Sequence, residues 1–231
     1  GRTYKAQVYV ANSSDLGAPQ NTTELVINDN TSIPLLNSPI NNTYFNNNTP
    51  QFFINNSDDV SGKQVYYVLE ISTDFAFTNT SYYNGTIRKI VNTTNGHNLS
   101  TSLNDGRYYW RTRSTNLFLN SSYTEIRNFT IDTINSNITL LSPSDSSTFV
   151  EGYVNYQFNI TDINNIRRCT LNVGGKIVDN TSIITKGNTN TISTNRAVGT
   201  YIWNVICEDQ ANNNGTSINR TITLTQREGF T

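Results

Sequence analysis

Apolar and polar residues alternate with a period of two along several stretches of the chain. Residues 65–71 place Val, Tyr, Leu and Ile on one face, and residues 108–114 and 201–207 alternate similarly around Trp110 and Trp203. Because successive side chains of a strand point to opposite faces, this pattern predicts half-buried strands of antiparallel sheets. Helical periodicity is almost absent, and Thr, Val, Ile, Tyr and Phe dominate the apolar runs. The sequence therefore predicts an all-β protein.

The clearest of these stretches belong to a repeat. Residues 106–112 (Gly-Arg-Tyr-Tyr-Trp-Arg-Thr) match residues 199–205 (Gly-Thr-Tyr-Ile-Trp-Asn-Val), and residues 3–12 form a third, weaker copy. The anchoring residues of the three copies are Tyr4, Tyr108 and Tyr201, which are separated by 104 and 93 residues. A two-sheet β-sandwich has about 100 residues, so this spacing predicts one sandwich per repeat.

The repeat divides the chain into segments. Residues 31–134 and 135–226 are each expected to form one sandwich, and residues 227–231 form a polar tail. Residues 1–30 contain only the last two strands of a further sandwich, and two strands alone cannot bury a face. We therefore expect upstream residues of a longer polypeptide, or a neighbouring copy that contributes strands, to complete this sandwich.

The composition is polar but weakly charged. Only 14% of the residues are charged, and the 37 Asn and 33 Thr among the 231 residues supply much of the polarity. A formal net charge of −1 gives no electrostatic reason to expect nucleic acid or an anionic membrane as a partner. No apolar run approaches the roughly 18–20 residues that cross a bilayer, so we expect no membrane span within this segment and place any signal peptide or anchor outside it.

Acceptor sequons for N-linked glycans are unusually frequent. Asn-x-Ser/Thr, where x is not Pro, occurs seventeen times, about twice the number expected by chance from the Asn, Ser and Thr content. The excess favours a secreted, densely N-glycosylated chain, in which each occupied Asn must point outward or lie in a loop. The acceptors are Asn12, Asn21, Asn30, Asn41, Asn47, Asn55, Asn79, Asn84, Asn92, Asn98, Asn120, Asn128, Asn137, Asn159, Asn180, Asn214 and Asn219.

Two parts of the chain resemble known families. Thr-Pro-Gln-Phe (49–52), Tyr-Val-Leu-Glu-Ile-Ser-Thr-Asp (67–74) and Asp-Gly-Arg-Tyr-Tyr-Trp-Arg-Thr-Arg (105–113) resemble the fibronectin type III pattern of prokaryotic surface proteins. Leu-Leu-Ser-Pro-Ser-Asp (140–145), with Cys-Thr-Leu (169–171) and Trp-Asn-Val-Ile-Cys-Glu-Asp (203–209), resembles Ig-like modules of archaeal cell-surface proteins. The resemblance implies tandem Ig-like and fibronectin-III-like antiparallel β-sandwiches. It implies little about function, because such modules are general building blocks.

The two cysteines, Cys169 and Cys207, are expected to form a disulfide within the last sandwich. In the Ig-type arrangement they lie on the third and sixth strands, which are neighbours in one sheet. This pairing departs from the antibody pattern, where the bridge joins the two sheets. An extracellular compartment would let the bond persist. The alternative is a pair of buried thiols that pack as small hydrophobic side chains.

Catalytic and metal-binding motifs are absent from the sequence, so we expect no enzymatic activity and no cofactor. The single histidine, His97, lies in a hairpin-like turn and is expected to be exposed to solvent. The acidic pair Glu208–Asp209 precedes a turn and is expected to stabilise that turn. A structural calcium ion there is the less favoured alternative, because Ca²⁺ needs six to eight oxygen ligands.

Tyrosines on the predicted outward faces of strands offer a possible contact surface. Tyr66, Tyr82, Tyr83 and Tyr109 could stack on carbohydrate or on another cell surface. The more common role of such residues is packing against a neighbouring strand, and this is the interpretation we favour.

These observations lead to the expectation of a structural, non-catalytic protein at the cell surface. We expect a heavily N-glycosylated subunit or segment of an extracellular filament, sheath or surface layer, of archaeal origin, whose partners are other copies of itself or upstream domains of the same chain. One alternative is the stalk of an adhesin or receptor that presents a binding domain outside this segment. Another is a set of accessory domains of a secreted enzyme.

Overall fold

The computed structural model describes residues 31–55, 58–59, 64–89, 95–179 and 183–228, and all regular elements in these ranges are β-strands. The expected all-β fold is confirmed. Contacts divide the chain into two compact units, the first comprising Gly1–Thr43, Thr49–Ser102 and Arg107–Phe129, and the second comprising Tyr44–Asn48, Leu103–Gly106 and Thr130–Thr231. The part of the chain described here contains no helix that is long and apolar enough to cross a membrane.

The first sandwich contains strands β1 to β8. One sheet has the order β1-β3-β6 and the other has the order β2-β8-β7-β4-β5. The strands are β1 (Leu35–Ser38), β2 (Thr43–Phe45), β3 (Gln51–Asn55), β4 (Tyr66–Ser72), β5 (Thr80–Arg88), β6 (Asn95–Asn98), β7 (Gly106–Thr115) and β8 (Arg127–Ile131).

An aromatic cluster fills the space between these two sheets. The ring of Phe52 on β3 lies 5.0 Å from that of Trp110 and 5.5 Å from that of Phe129, both edge to face. Tyr108 stacks on Phe129 at 5.5 Å. Phe52, Trp110 and Phe129 are fully buried. The alternation that predicts Tyr108, Trp110 and Thr112 on the inward face of β7 is therefore confirmed.

The second sandwich contains strands β9 to β17. Its sheets have the orders β14-β11-β9 and β10-β17-β15-β12-β13, and β16 adds to β15. Trp203 on β15 packs edge to face against Tyr156 on β11 at 4.9 Å, which joins the two sheets. The strands are β9 (Asn137–Ser142), β10 (Ser147–Val150), β11 (Gly152–Thr161), β12 (Ile166–Val173), β13 (Lys176–Asp179), β14 (Asn190–Arg196), β15 (Gly199–Asp209), β16 (Asn214–Thr216) and β17 (Arg220–Thr225).

One strand pair departs from the antiparallel arrangement expected from the sequence. Strand β10 pairs in parallel with β17, with Ser147 opposite Ile222. Only four residues separate β10 from β9, which belongs to the other sheet. The chain therefore continues in the same direction as it changes sheets, and it meets the last strand in parallel.

Strand β4 is buried on both faces, although its alternation predicts burial of one face. Tyr67, Leu69 and Ile71 face the core with no exposed surface, while Glu70 and Ser72 on the opposite face are also buried. The outer face is covered because residues of the β4–β5 turn and of the β7–β8 connection fold back over it.

Candidate functional site

The sequon asparagines occupy accessible positions wherever the structure describes their side chains. Eleven of the seventeen are described in this way, and none of these eleven is buried. The exposed ones are Asn41, Asn47, Asn79, Asn98, Asn120, Asn137, Asn214 and Asn219. The half-buried ones are Asn55, Asn128 and Asn159. The sequons at Asn12, Asn21, Asn30, Asn92 and Asn180 lie outside the described residues, and for Asn84 only the backbone is described.

Some asparagines outside sequons are buried. Four described asparagines are buried, and none of them begins a sequon: Asn95, Asn116, Asn190 and Asn213. Each donates its side-chain amide to an acceptor, as Asn213 does to the carbonyl of Asp132 (2.8 Å) and Asn190 does to that of Thr185 (2.9 Å). These four buried asparagines have structural roles, and none of them is an acceptor for glycans.

Two sequon asparagines form hydrogen bonds through the side-chain oxygen, not through the nitrogen that would carry a sugar. Asn41 accepts a hydrogen bond through Oδ1 from the Asn128 backbone, and Asn219 accepts one through Oδ1 from Asn204. Asn128 is different, because its own Nδ2 donates to Asn41 Oδ1 at 3.1 Å. Attachment of a glycan at Asn128 would compete with this contact.

Cys169 and Cys207 are joined by a disulfide in the structure. Cys169 lies on β12 and Cys207 lies on β15, directly opposite each other in an antiparallel pair. Both are buried within the core of the second sandwich. The bond therefore links two adjacent strands of one sheet and closes a loop with a sequence separation of 38 residues.

Three carboxylates from distant parts of the sequence meet in the second unit. Asp132 follows β8, Asp162 follows β11, and Asp209 ends β15, and their nearest oxygens all lie within 4.8 Å of one another. Asp132 and Asp209 are fully buried. These are the described residues that could together hold a cation. Of the three, only Asp209 is predicted from the sequence to take part in a turn or a cation site, because Asp132 and Asp162 lie in other loops.

Hydrogen bonds occupy the oxygens of this carboxylate cluster. Asp209 Oδ1 accepts the backbone N–H groups of Ala211 and Asn213, which closes the turn after β15 as the sequence predicts. Asp132 accepts from the Ile134 backbone and from the Asn164 amide at 2.6 Å. Burial raises the pKa of Asp132, an effect that these hydrogen bonds oppose and the neighbouring Asp209 and Asp162 charges reinforce. Each of the three carboxylates thus accepts at least one hydrogen bond.

The segment that joins β8 to β9 packs tightly beside this cluster. Ser136 is buried and donates through Oγ to Asp162 at 2.6 Å. A Cβ on Gly215 of β16 would lie only 2.1 Å from the Ser136 carbonyl oxygen. Glycine is therefore required at position 215, because the two backbones approach too closely for any side chain.

His97 does not lie in an exposed turn, as the sequence suggested, but on strand β6. Its ring is half-buried, and Nε2 lies 2.7 Å from the hydroxyl of Tyr82 on β5. This contact joins an edge strand of one sheet to an edge strand of the other. Burial lowers the pKa of His97. Tyr82, expected to face outward, is buried because it lies opposite Ile71, whose side chain faces the core.

An aromatic and cationic layer covers the outer face of β7. The Arg111 guanidinium lies between the Phe77 ring at 4.1 Å and the Tyr123 ring at 3.9 Å, and its Nε donates to Glu70 at 2.8 Å. Tyr123 donates its hydroxyl to the same Glu70 carboxylate at 2.5 Å. Burial, together with this hydrogen bond and the Glu70 charge, raises the pKa of Tyr123 to about 12.

The tyrosines considered as a contact surface are accounted for by packing where their side chains are described. Tyr109 lies edge to face with Phe75 at 5.6 Å and under the Arg107 guanidinium at 5.5 Å. Tyr66 is half-buried, and the side chain of Tyr83 lies outside the described residues. The exposed member of this layer is Phe75, with 63% of its surface accessible.

A cavity of about 510 Å³ in the second unit is lined by Glu151, Gly152, Asn195, Arg196 and Ala197. Glu151 is the one carboxylate among these lining residues. Hydrolysis of a glycosidic bond requires a pair of carboxylates on either side of the bond. The lining residues do not provide that pair.

Comparisons with known proteins give structural neighbours but no family. No family model and no curated protein sequence matches the chain. Among solved structures, fibronectin(III)-like modules of Clostridium thermocellum CbhA align with a TM-score of 0.46 and 14% identity, covering 84% of this chain and 94% of theirs. The FN1–FN3 domains of chicken CNTN1 align with a TM-score of 0.38 and 8% identity, covering 81% of this chain and 69% of theirs.

The chicken interferon gamma receptor alpha chain is similar at a TM-score of 0.30 and 10% identity, covering 84% of this chain and 96% of that one. At these scores the likenesses carry no argument about this chain. The strand order and the two aromatic cores described above establish the class of fold directly as all-β, with paired sheets forming β-sandwiches.

Proposed function

We propose that this chain is a non-catalytic structural part of an extracellular, N-glycosylated surface assembly, such as a filament, a sheath or a surface layer. The observation that carries the proposal is the surface position of the sequon asparagines. None of the eleven whose side chains are described is buried, and eight of them are exposed. A chain that carries glycans needs its acceptors at the surface, because an attached sugar must remain in solvent.

Two further features support an extracellular structural role. The Cys169–Cys207 disulfide is a bond that persists in oxidising compartments. Polar side chains of both sandwiches form bonds that stabilise turns and sheets, as in the Asp132–Asp162–Asp209 cluster and the Glu70–Arg111–Tyr123 contacts. Such bonds suit a structural role.

Site-resolved glycopeptide mass spectrometry of the native protein tests the glycosylation part of the proposal. We expect high occupancy at the exposed Asn137, Asn214 and Asn219, and lower occupancy at the half-buried Asn128 and Asn159. Native material with no glycan at the three exposed sites would contradict the proposal. Equal occupancy at all five sites would show that burial in the folded state does not govern attachment.

Negative-stain electron microscopy of native particles tests the assembly part. We expect an extended polymer with a regular repeat. Discrete monomers that carry a further binding domain would contradict this and favour the stalk of an adhesin or receptor. An attached catalytic domain would favour an accessory role in a secreted enzyme.

A further inference from the structure

Aromatic residues precede many of the sequons of the first sandwich by two positions. Five of the seventeen acceptor asparagines have Phe or Tyr at this position, whereas the 11% aromatic content would place about two there. The five pairs are Phe45 and Asn47, Phe53 and Asn55, Phe77 and Asn79, Tyr82 and Asn84, and Phe118 and Asn120. None of the five sequons after residue 134 has this feature.

Two of these pairs lie in turns with an unusual backbone. In the β4–β5 turn, Phe77 has a φ of 58°, a left-handed conformation that is costly for a bulky side chain. In the turn after β7, Leu117 has a φ of 71° and is followed directly by Phe118. Glycine or asparagine would adopt either conformation at lower cost. Because a large apolar residue occupies each of these positions, we expect its side chain, or the position of the residue after it, to make a contact that compensates for the strain.

Hydrogen bonds hold the β4–β5 turn in this conformation. Asp74 accepts from the backbone N–H groups of Thr78 at 3.2 Å and Asn79 at 3.0 Å, and these bonds help to lower the pKa of Asp74 to about 2. The Phe77 N–H donates to the Asp74 carbonyl, and Ser72 Oγ donates to the Asn79 carbonyl at 2.7 Å. The backbone of Asn79 is thus fixed at both polar groups while its side chain is exposed.

The aromatic rings near Asn79 present surface to solvent. Phe77 has Arg111 on one face at 4.1 Å and is only half-buried, and Phe75 is 63% exposed. In the turn after β7, backbone N–H groups likewise donate to one polar side chain, and an aromatic ring is exposed. Asn116 Oδ1 accepts the N–H groups of Phe118 and Leu119, and Phe118 is 77% exposed beside the exposed Asn120.

We propose that these rings are contact surfaces for the protein-linked sugar of the glycans at Asn79 and Asn120. One face of a pyranose carries only C–H bonds, which pack on the electron-rich face of an aromatic ring and remove apolar area from water. A sugar on Asn79 extends from a position two residues beyond Phe77 and reaches back over that ring. The glycan then offsets the backbone strain of each turn, and the glycan is a structural part of the first sandwich.

This inference rests on the proposed function, because it needs the chain to be glycosylated. The test uses the full chain secreted from N-glycosylating cultured cells, with each glycan trimmed enzymatically to a single N-acetylglucosamine. Thermal unfolding of the first sandwich is followed by Trp110 fluorescence, with all variants in a Trp203→Phe background that removes the signal of the second sandwich. Asn79→Gln is compared with the parent protein, both alone and in a Phe77→Gly background, which removes the ring and relieves the backbone strain together.

We expect Asn79→Gln to lower the unfolding midpoint by about 4 °C in the parent protein and to leave it unchanged in the Phe77→Gly background. Asn120→Gln should behave in the same way with Phe118→Gly. The control is Asn98→Gln, which removes an exposed sequon of the same sandwich whose residue two positions earlier is Gly96. It should not shift the midpoint in either background.

Two results would overturn the ring contact alone. One is that Asn79→Gln shifts the unfolding midpoint equally with and without the Phe77 ring. The other is an Asn79 that carries no glycan in protein whose Asn98 does carry one. Native material without glycan at any site would instead contradict the proposed function, and the inference with it. The glycan analysis of native material and the unfolding of the trimmed protein therefore separate the two failures.

Discussion

Replacing Gly215 with alanine tests how closely the segment before β9 packs on strand β16. The new Cβ would lie 2.1 Å from the Ser136 carbonyl oxygen and 2.9 Å from its carbonyl carbon. Both are backbone atoms, so no side-chain rotation can relieve the clash. One of the two segments must move by about 1 Å to restore an ordinary contact of at least 3.0 Å.

That movement has a definite energetic consequence. It strains the buried hydrogen bonds from Ser136 to Asp162 (2.6 Å) and from Asn213 to the Asp132 carbonyl (2.8 Å). Each such bond contributes about 1 kcal/mol, and overpacking adds about 1–3 kcal/mol. The lower chain entropy of alanine in the unfolded state returns about 0.5–1 kcal/mol. We therefore expect Gly215→Ala to lower the free energy of unfolding of the second sandwich by about 2–4 kcal/mol.

Urea unfolding followed by tryptophan fluorescence measures this loss. The fully buried Trp203 reports on the second sandwich, and a Trp110→Phe background removes the signal of the first. The matched control is Gly96→Ala in β6, where the new Cβ would meet only the ends of the Gln51 and Phe53 side chains. In a Trp203→Phe background, Gly96→Ala should change the free energy of unfolding of the first sandwich by less than about 1 kcal/mol. A Gly215→Ala loss as small as this would refute the close approach of the two backbones.

Four further results are expected. Replacing Cys169 and Cys207 together with alanine should destabilise the second sandwich by about 4 kcal/mol in the chain-entropy model, as measured by urea unfolding. Because the folded-state pKa of Tyr123 is about 12 and an unfolded tyrosine ionises near pH 10, the first sandwich should lose stability between pH 10 and 12, and Tyr123→Phe should remove that part of the pH dependence. Asp209→Ala leaves two backbone N–H groups of a buried turn without their acceptor, and it should lower the free energy of unfolding of the second sandwich by about 3 kcal/mol. Asp209→Asn should lower it by less. Hydrogen exchange at residues 4–11, which lie outside the described residues, should be slow in native assemblies and fast in isolated 231-residue chains.

Much of the fold follows from local alternation. The period-two pattern around Trp110 and Trp203 predicts which side chains of β7 and β15 face inward, because a strand has only two faces. The inward faces of these strands depend on a few consecutive residues, and the sequence contains them. The pairing of Cys169 with Cys207 follows instead from the Ig-type arrangement that the resemblance implies, in which the third and sixth strands are neighbours in one sheet.

Features that depend on distant segments could not be predicted in this way. The burial of both faces of β4 requires the β4–β5 turn and the Tyr123 segment to fold over it, and Glu70 and Arg111 acquire their contacts only then. Asn95-Gly96 is a strong turn signal and predicts a turn at His97, yet pairing with β3 makes this segment a strand. Long-range pairing overrode the local preference.

The same limit applies to the carboxylate cluster. Asp132, Asp162 and Asp209 are separated by 30 and 47 residues, and each looks like an ordinary turn residue in its own loop. Only the stacking of β9, β11 and β15 brings them together. The accessible sequon asparagines were easier to anticipate, since a glycan acceptor must face solvent to be occupied.

The proposed role as a glycosylated structural protein of the cell exterior is tested most directly by one mass measurement. The mass of the native protein is measured before and after chemical removal of glycans, because the difference does not depend on the length of the polypeptide. We expect a decrease that corresponds to glycans on most of the seventeen sequons. A mass that does not change on deglycosylation would contradict the proposed function.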